Sequence, residues 1–452
     1  MDLLSFPPEI LDKICKELCN HCQTKHLSHI PHEQDLITSC PSKIWEHDAE
    51  GVKALVNLSK TCQTLNTLTL PHRYHRIELK RDIPDTREFI AHSRDSAHHA
   101  LKHVRSLSLA CTQAMTDCYN QLPDSQKHGP NFLCMVFHHA LKIQLLRINL
   151  NLDDQFNVSR RTTAESLRYL HIEYSDSESY YYLECFQIFY LLREALKLDT
   201  LVIQVTSLFG WFPSLRLGNV KCLKLVDTMV SPECLGKLLK SCPQLASFIF
   251  SFPANMRDWL EGGDGHMTTL QTLPQVLSVR QETLRYVELY WGPQPVNDNE
   301  MHIVGSFKAL TNLERLALGG PGFRFEKAEN NKTLETCLVS LLPPSIRSVS
   351  IDSDHMSIHE PIFALGEAVK QGSFPMLKEV RCYNWLYVHL KGFLLEKAST
   401  HSSITREGLQ DCWESSKSSH RLLLQLSRTC DVSFSATNKG LFERGAGRRK
   451  RS

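Results

Sequence analysis

LRYVEL, residues 284–289, carries the pattern that decides the fold: an apolar residue, two variable residues, an apolar residue, one variable residue and an apolar residue. The alternation of apolar and polar positions at its end predicts a β-strand with one buried face. The same six-residue frame recurs along the chain. Its ten copies are VRSLSL from Val104, LLRINL from Leu145, LRYLHI from Leu167, LDTLVI from Leu198, VKCLKL from Val220, LASFIF from Leu245, LRYVEL from Leu284, LERLAL from Leu313, IRSVSI from Ile346 and LKEVRC from Leu377.

The spacing of the copies predicts a repeat protein. Neighbouring copies lie 22 to 41 residues apart, and the shortest intervals match the period of about 20–29 residues of leucine-rich repeats. Helical segments fill the intervals, for example SPECLGKLLKSC at 231–242, where Ser231 is the predicted N-cap. The strands of an ordinary α/β protein would look similar one at a time. The constant frame favours a solenoid of irregular leucine-rich repeats.

The N-terminal segment has a different, helical pattern. In FPPEILDKICKELC, residues 6–19, Pro8 suits the first helical position, and the apolar residues after it form one stripe. A second stripe follows in ALVNLSKTCQTLNTLTLP, residues 54–71, where we expect Pro71 to end the helix. Residues 20–50 are polar and rich in histidine, which predicts an inserted loop.

Together these features resemble a fungal F-box protein with leucine-rich repeats. Phe6-Pro7-Pro8-Glu9-Ile10-Leu11 resembles the opening of an F-box, Cys62 falls at its common cysteine, and Pro71 with Tyr74 resembles its end. The resemblance implies an α/β fold in three parts: a small N-terminal helical F-box module over 1–78 with the inserted loop 20–50, an irregular leucine-rich-repeat solenoid over 79–437, and a basic tail over 438–452. In such a solenoid a curved parallel sheet carries helices on its outside.

In that family the F-box binds the Skp-type adaptor of a cullin–RING ubiquitin ligase, and the repeats hold the protein substrate. The resemblance therefore implies a substrate receptor. The expected adaptor-binding residues are Phe6, Pro7, Pro8, Ile10, Leu11, Ile14, Leu18, Leu55, Leu58, Cys62 and Leu65. The alternatives are a first helix that only caps the repeats, and a leucine-rich-repeat scaffold that does not bind the adaptor.

The expected substrate-binding surface is the exposed face of the repeat strands, where variable residues flank the apolar ones. Aromatic residues and arginine, which dominate interface energetics, are frequent at these positions. The candidates are Tyr169, His171, Glu173, Tyr286, Glu288, Tyr290, Arg315, Arg381 and Tyr383.

One pattern suggests zinc. CNHC gives Cys19-x-x-Cys22, which is a common first half of a zinc site, and His26, His29, His32 and Cys40 follow. Those four have no standard ligand spacing, and Cys19 also fits the apolar stripe of the first helix. We therefore expect no metal and no cofactor, and a metal-dependent nucleic-acid binder is a remote alternative. The sequence has no catalytic signature, which predicts that the protein is not an enzyme.

Composition narrows the remaining possibilities. The chain has 452 residues, 42% hydrophobic and 22% charged, with a net charge of +2, which is typical of a globular protein and gives no reason to expect a nucleic acid or a membrane as partner. We see no secretory signal, so the 16 cysteines are expected to be reduced thiols in the cytoplasm or nucleus. The C-terminal GAGRRKRS is either a solvated tail or a nuclear import signal.

Overall fold

A computed structural model describes residues 5–19, 22, 49–79, 101–109, 140–150, 164–174, 191–208, 215–252, 267–291, 304–320, 337–352, 359–383 and 432–437. These residues form two compact units. The first contains the described residues up to Thr206 and residues 215–220, and the second contains residues 207–208 and those from Lys221 onward. The boundary predicted at residue 78 lies inside the first unit. The predicted tail, 438–452, and most of the predicted loop, 20–50, lie outside the described residues.

Among its described residues, the first unit begins with a module of three helices, α1 (Pro8–Leu18), α2 (Ala49–Ser59) and α3 (Gln63–Tyr74), each of which contacts the other two. Pro8 opens α1 as predicted, and Leu11 and Cys15 form its buried face. The second apolar stripe spans two helices instead of one, because the chain leaves the helical conformation at Cys62, the N-cap of α3. The prediction that Pro71 ends the helix is wrong, since α3 continues through it to Tyr74.

Five parallel strands follow the helices in chain order: β1 (Arg76–Leu79), β2 (Ser106–Leu109), β3 (Leu145–Leu150), β4 (Tyr169–Tyr174) and β5 (Thr200–Leu208). Each of the first four pairs with the next strand along the chain. β1 is an additional strand before the first predicted copy, with Ile77 opposite Leu107.

The described part of the second unit has seven parallel strands in chain order: β6 (Cys222–Val230), β7 (Ser247–Phe252), β8 (Tyr286–Trp291), β9 (Arg315–Gly319), β10 (Ser348–Asp352), β11 (Glu379–Tyr383) and β12 (Ser433–Thr437). The helices between them are α4 (Pro232–Ser241), α5 (Leu273–Leu277) with the 3₁₀ turn Ser278–Arg280, α6 (Cys337–Leu341) and α7 (His359–Lys370). Ser231 is the N-cap of α4, as predicted, and its hydroxyl accepts a hydrogen bond from the Cys234 amide at 3.2 Å. The α/β architecture with a parallel sheet is thus present.

The same backbone hydrogen bonds recur in successive copies of the frame. In LERLAL the amides of Glu314 and Arg315 both donate to the carbonyl of Arg285, at 2.9 and 3.0 Å. In LRYVEL the amides of Arg285 and Tyr286 likewise donate to the carbonyl of Ala246, at 2.9 and 3.0 Å. All ten predicted strands are confirmed. From β7 to β11 the register places equivalent residues of neighbouring copies side by side.

One predicted frame is shifted. We expected the second copy to be LLRINL, but Leu107 of β2 lies opposite Leu146 of β3, and Leu109 lies opposite Ile148. The copy is therefore IQLLRI, which begins at Ile143. The error arose because Leu145 is also apolar, so two frames fit the same segment.

The apolar residues of the frame form the core. In β8 the side chains of Val287, Leu289 and Trp291 are buried on one side of the sheet, and Trp291 stacks on Phe252 of β7 with ring centroids 4.0 Å apart. Gly320 follows β9 with φ +110°, where a side chain would collide with the Trp291 carbonyl. Among the described helices none has the length and apolar character that a membrane crossing requires.

Candidate functional site

The helical module places the expected adaptor-binding residues in three environments. Pro7, Pro8 and Ile10 are exposed, and Ile10 keeps 38% of its surface accessible although it is a large apolar residue. Phe6, Ile14, Leu18, Leu58 and Cys62 are half-buried. Leu11, Leu55 and Leu65 are buried at 3%, 1% and 4% exposure. These last three support the interior of the module and do not form part of its surface, which corrects the expectation that they contact a partner directly.

A cluster of two cysteines and two histidines lies where α1 and α3 end. One ligand-type atom of each of Cys19, Cys22, His72 and His75 lies within 4.8 Å of those of the other three. Sγ of Cys22 is 3.6 Å from Nδ1 of His72 and 3.3 Å from Nδ1 of His75. Sγ of Cys19 is 3.7 Å from Nδ1 of His75. We call these four residues the Cys₂His₂ cluster.

Local structure explains how each half of the cluster forms. Cys19 is the C-cap of α1 and has an extended backbone, and the amide of Cys22 donates to the Cys19 carbonyl at 2.9 Å. This turn brings the two sulfur atoms to the same side. His72 lies in the last turn of α3 and His75 is its C-cap, so the two are three residues apart and share one helix face.

Asp12 of α1 contacts the cluster from outside. Its Oδ1 lies 2.9 Å from Nε2 of His72, the ring nitrogen that faces away from Cys22. Its Oδ2 forms an ion pair with Lys16 at 2.7 Å, one helical turn later. His72 is 5% exposed, and the carboxylate therefore fixes the ring of a buried imidazole.

The electrostatics of the cluster favour a negative sulfur at Cys19 and a positive ring at His72. Hydrogen bonding from Cys22 lowers the pKa of the Cys19 thiol, and the same contact raises the pKa of Cys22, so the pair shares one proton. Burial opposes protonation of His72, but hydrogen bonds to Cys19 and Asp12 outweigh it and raise its pKa. The Lys16 and His72 contacts lower the pKa of Asp12.

Sequence reasoning found only half of the cluster. His26, His29, His32 and Cys40, the partners considered for Cys19 and Cys22, lie outside the described residues. The histidines that do contact the two cysteines are His72 and His75, which stand about fifty positions later in PHRYHRI. Two histidines three apart at a helix end were the available signal.

In the first unit, the residues predicted to form an exposed substrate-binding surface are not exposed. Tyr169, His171 and Glu173 are buried, at 7%, 1% and 3% exposure. Glu173 accepts two hydrogen bonds from the Arg147 guanidinium, at 2.6 and 3.2 Å, and His171 is hydrogen-bonded to Gln204 at 3.0 Å. These polar side chains bond to neighbouring strands, so the expectation that they form an exposed surface is wrong.

In the second unit, some of the predicted substrate-binding residues are buried and others are accessible. Tyr286, Glu288 and Tyr383 are buried, and the Tyr286 hydroxyl donates to Glu288. The expectation of exposure is wrong for these three as well. Tyr290 and Arg315 are half-buried. Arg381 keeps 46% of its side chain accessible and forms an ion pair with Glu379 at 2.6 Å.

No protein-family model matches this chain, and no curated protein matches it significantly.

Proposed function

We propose that this protein is an F-box substrate receptor of a Skp–cullin–F-box ubiquitin ligase. The observation that carries the proposal is the order of its parts: a module of three packed helices leads directly into β1, the first of a series of parallel strands in chain order. In such a receptor the helical module would bind the adaptor and the repeated sheet would bind the substrate. The protein would bring the substrate close to the ligase without catalysing a reaction itself.

The repeated frame supports a leucine-rich-repeat solenoid as the finer description of the sheet. Within each unit the strands pair in chain order, and equivalent backbone groups bond from copy to copy. Stacking of one strand per repeat is how such proteins bury a continuous core. The helices α4 and α7 in the second unit would lie on the outside of the solenoid.

The exposed apolar side chains of α1 are the proposed adaptor contact. Pro7, Pro8 and Ile10 lie together at the start of the helix, and Ile14 follows one turn after Ile10. Apolar anchors at helical spacing that insert into a groove are a common mode of helix recognition. Leu58 of α2 is half-buried and is the proposed second contact.

Because the other predicted substrate-binding residues are buried, the proposed substrate contact consists of the accessible ones in the second unit. These are Tyr290, Arg315 and Arg381, an aromatic residue and two arginines of the kind that dominate binding energy. Their strands β8, β9 and β11 belong to one sheet in aligned register.

Affinity purification of the full-length protein with quantitative mass spectrometry tests the proposal. Wild-type protein should recover a Skp-type adaptor and a cullin, and Ile10→Glu should lose both while it keeps other partners. The double variant Tyr290→Ala, Arg381→Ala should keep the adaptor and lose substrates. A wild-type sample that contains specific partners but no adaptor would favour the alternative, a repeat scaffold outside any ligase.

A further inference from the structure

We propose that Cys19, Cys22, His72 and His75 bind one zinc ion, which fastens the end of α1 to the end of α3. The residue types are the standard ligands of a structural zinc site, two thiolates and two imidazoles. The pairing is unusual in its spacing, because α2 and most of α3 lie between Cys-x-x-Cys and His-x-x-His in the chain.

Three of the six distances among the ligand atoms match the edges of a tetrahedron around zinc. With zinc–sulfur bonds of about 2.3 Å and zinc–nitrogen bonds of about 2.05 Å, the sulfur–nitrogen edges of a regular tetrahedron are about 3.6 Å long. The three sulfur–nitrogen distances given above are 3.6, 3.3 and 3.7 Å. These three contacts therefore have the length that a shared zinc ion requires, and all four ligand atoms lie within 4.8 Å of one another.

The surroundings of His72 support the same assignment. Its Nδ1 faces Cys22 while its Nε2 contacts Asp12. A histidine that binds a metal usually donates its other ring N–H to a carboxylate, which fixes the tautomer and orients the ring. Asp12 supplies that carboxylate, and it lies on α1, the helix that also carries Cys19.

Charge balance makes a metal favourable at this position. Cys19 is 4% exposed and His72 is 5% exposed, so charged forms of these groups are costly without a partner. Two thiolates neutralise a divalent zinc ion, and two neutral imidazoles complete the site. The tetrahedral set of two sulfur and two nitrogen atoms selects zinc over calcium or magnesium, which prefer oxygen ligands.

The module has a structural need for such a site. Its helices have 11, 11 and 12 residues, a length that is marginal in water without tertiary contacts. Within the part of the module that the structure describes, the buried cluster around Cys15 consists of Cys15, Cys19 and Leu55, with Leu18 and Cys22 partly buried against it. Because metal binding in a small module adds directly to folding free energy, one ion would stabilise all three helices.

The experiment measures metal in the tag-free, full-length protein expressed with zinc in the medium. After gel filtration, mass spectrometry of the metals should find about one zinc per chain. This is the amount that one closed structural site would hold. Replacement of the zinc by Co²⁺ should give the visible absorption of tetrahedral cobalt together with thiolate charge-transfer bands. A chain that holds no zinc and gives no such cobalt spectrum would overturn the proposal.

Variants assign the metal to the four residues. Cys22→Ser and His75→Ala should each lower the zinc affinity at least about tenfold, whereas Cys62→Ser, a half-buried cysteine outside the cluster, should retain it. His75→Cys keeps a ligand, so it should retain the metal and strengthen the cobalt charge-transfer bands. This readout distinguishes a ligand from a residue that only packs. Zinc affinities of Cys22→Ser and His75→Ala equal to that of the wild type would overturn the assignment.

Discussion

Asp12 and His72 stand 60 positions apart, yet Oδ1 of Asp12 lies 2.9 Å from Nε2 of His72. This contact joins the first helix to the last helix of the N-terminal module. It also turns the opposite ring nitrogen of His72 toward Cys22, 3.6 Å away. One carboxylate therefore connects the folding of the module with the arrangement of the Cys₂His₂ cluster.

Removal of that carboxylate should weaken metal binding without abolishing it. We expect Asp12→Ala to lower the zinc affinity about 10- to 100-fold, the usual effect of a residue that orients a metal ligand. The measurement is competition with a chelating dye. Lys16→Ala is the control, because its ion pair with Asp12 is exposed and should change the affinity by less than about twofold. Equal affinities of the Asp12 and Lys16 variants would contradict the assigned role.

Arg147 should be needed for stability because it compensates a buried charge. Its guanidinium is the partner of Glu173, whose side chain is only 4% exposed. We expect Arg147→Ala to lower the free energy of unfolding by about 2–4 kcal/mol, since it leaves a buried carboxylate without this cation. Arg193→Ala, which breaks an exposed pair with Glu194, should cost less than about 1 kcal/mol. Chemical denaturation compares the two, and equal losses would show that burial of Glu173 has no energetic consequence.

Glu288 should give the stability a defined pH dependence. Burial raises the pKa of Glu288 above its ordinary value of 4.5, although the Tyr286 hydroxyl and Lys224 oppose the shift. The folded state therefore holds the carboxyl proton of Glu288 more tightly than the unfolded state does. The stability that the protonated carboxyl contributes is lost as the pH rises from about 4.5 through the folded pKa.

The matching variant is Glu288→Gln. Its stability relative to wild type should increase as the pH is raised through this window, as measured by thermal unfolding at a series of pH values. A relative stability that falls with rising pH would mean that the folded protein prefers the carboxylate.

Gly320 should not tolerate a side chain. A Cβ atom there would lie 2.1 Å from the Trp291 carbonyl oxygen, at a φ of +110°. We expect Gly320→Ala to destabilise the second unit by at least about 2 kcal/mol. Gly236→Ala in α4 is the control, because a Cβ meets nothing within 4 Å and alanine favours the helix. A lower unfolding midpoint for Gly236→Ala than for Gly320→Ala would contradict this description of the turn.

The sheet could be predicted from the sequence because its signal is local. The frame of LRYVEL places Val287 and Leu289 on the buried face, and every copy repeats it. The error at Leu145 has the same origin, since a local pattern cannot choose between two apolar frames until the pairing of Leu107 with Leu146 fixes the register.

The candidate site could not be predicted because it is non-local. Cys19 and Cys22 are visible as a pair, but nothing near them in the sequence points to His72 and His75. The burial of Tyr169 and Glu173 was missed for a related reason. The alternation of apolar and polar residues shows on which side of a strand a residue lies, but it does not show whether other residues cover that side. Glu173 can be buried because its carboxylate is hydrogen-bonded to Arg147.

The most direct test of the central claim is binding of the purified full-length protein to a purified Skp-type adaptor, measured by isothermal titration calorimetry. The account predicts a one-to-one complex with a Kd of about 1 μM or tighter for the wild type, and at least tenfold weaker binding for Ile10→Glu. Lys13→Glu, on the same helix and also exposed, should bind within about threefold of the wild type, because charged positions at the edge of an interface contribute little. No binding by the folded wild type, or equal binding by Ile10→Glu, would contradict the assignment of this protein as an F-box receptor.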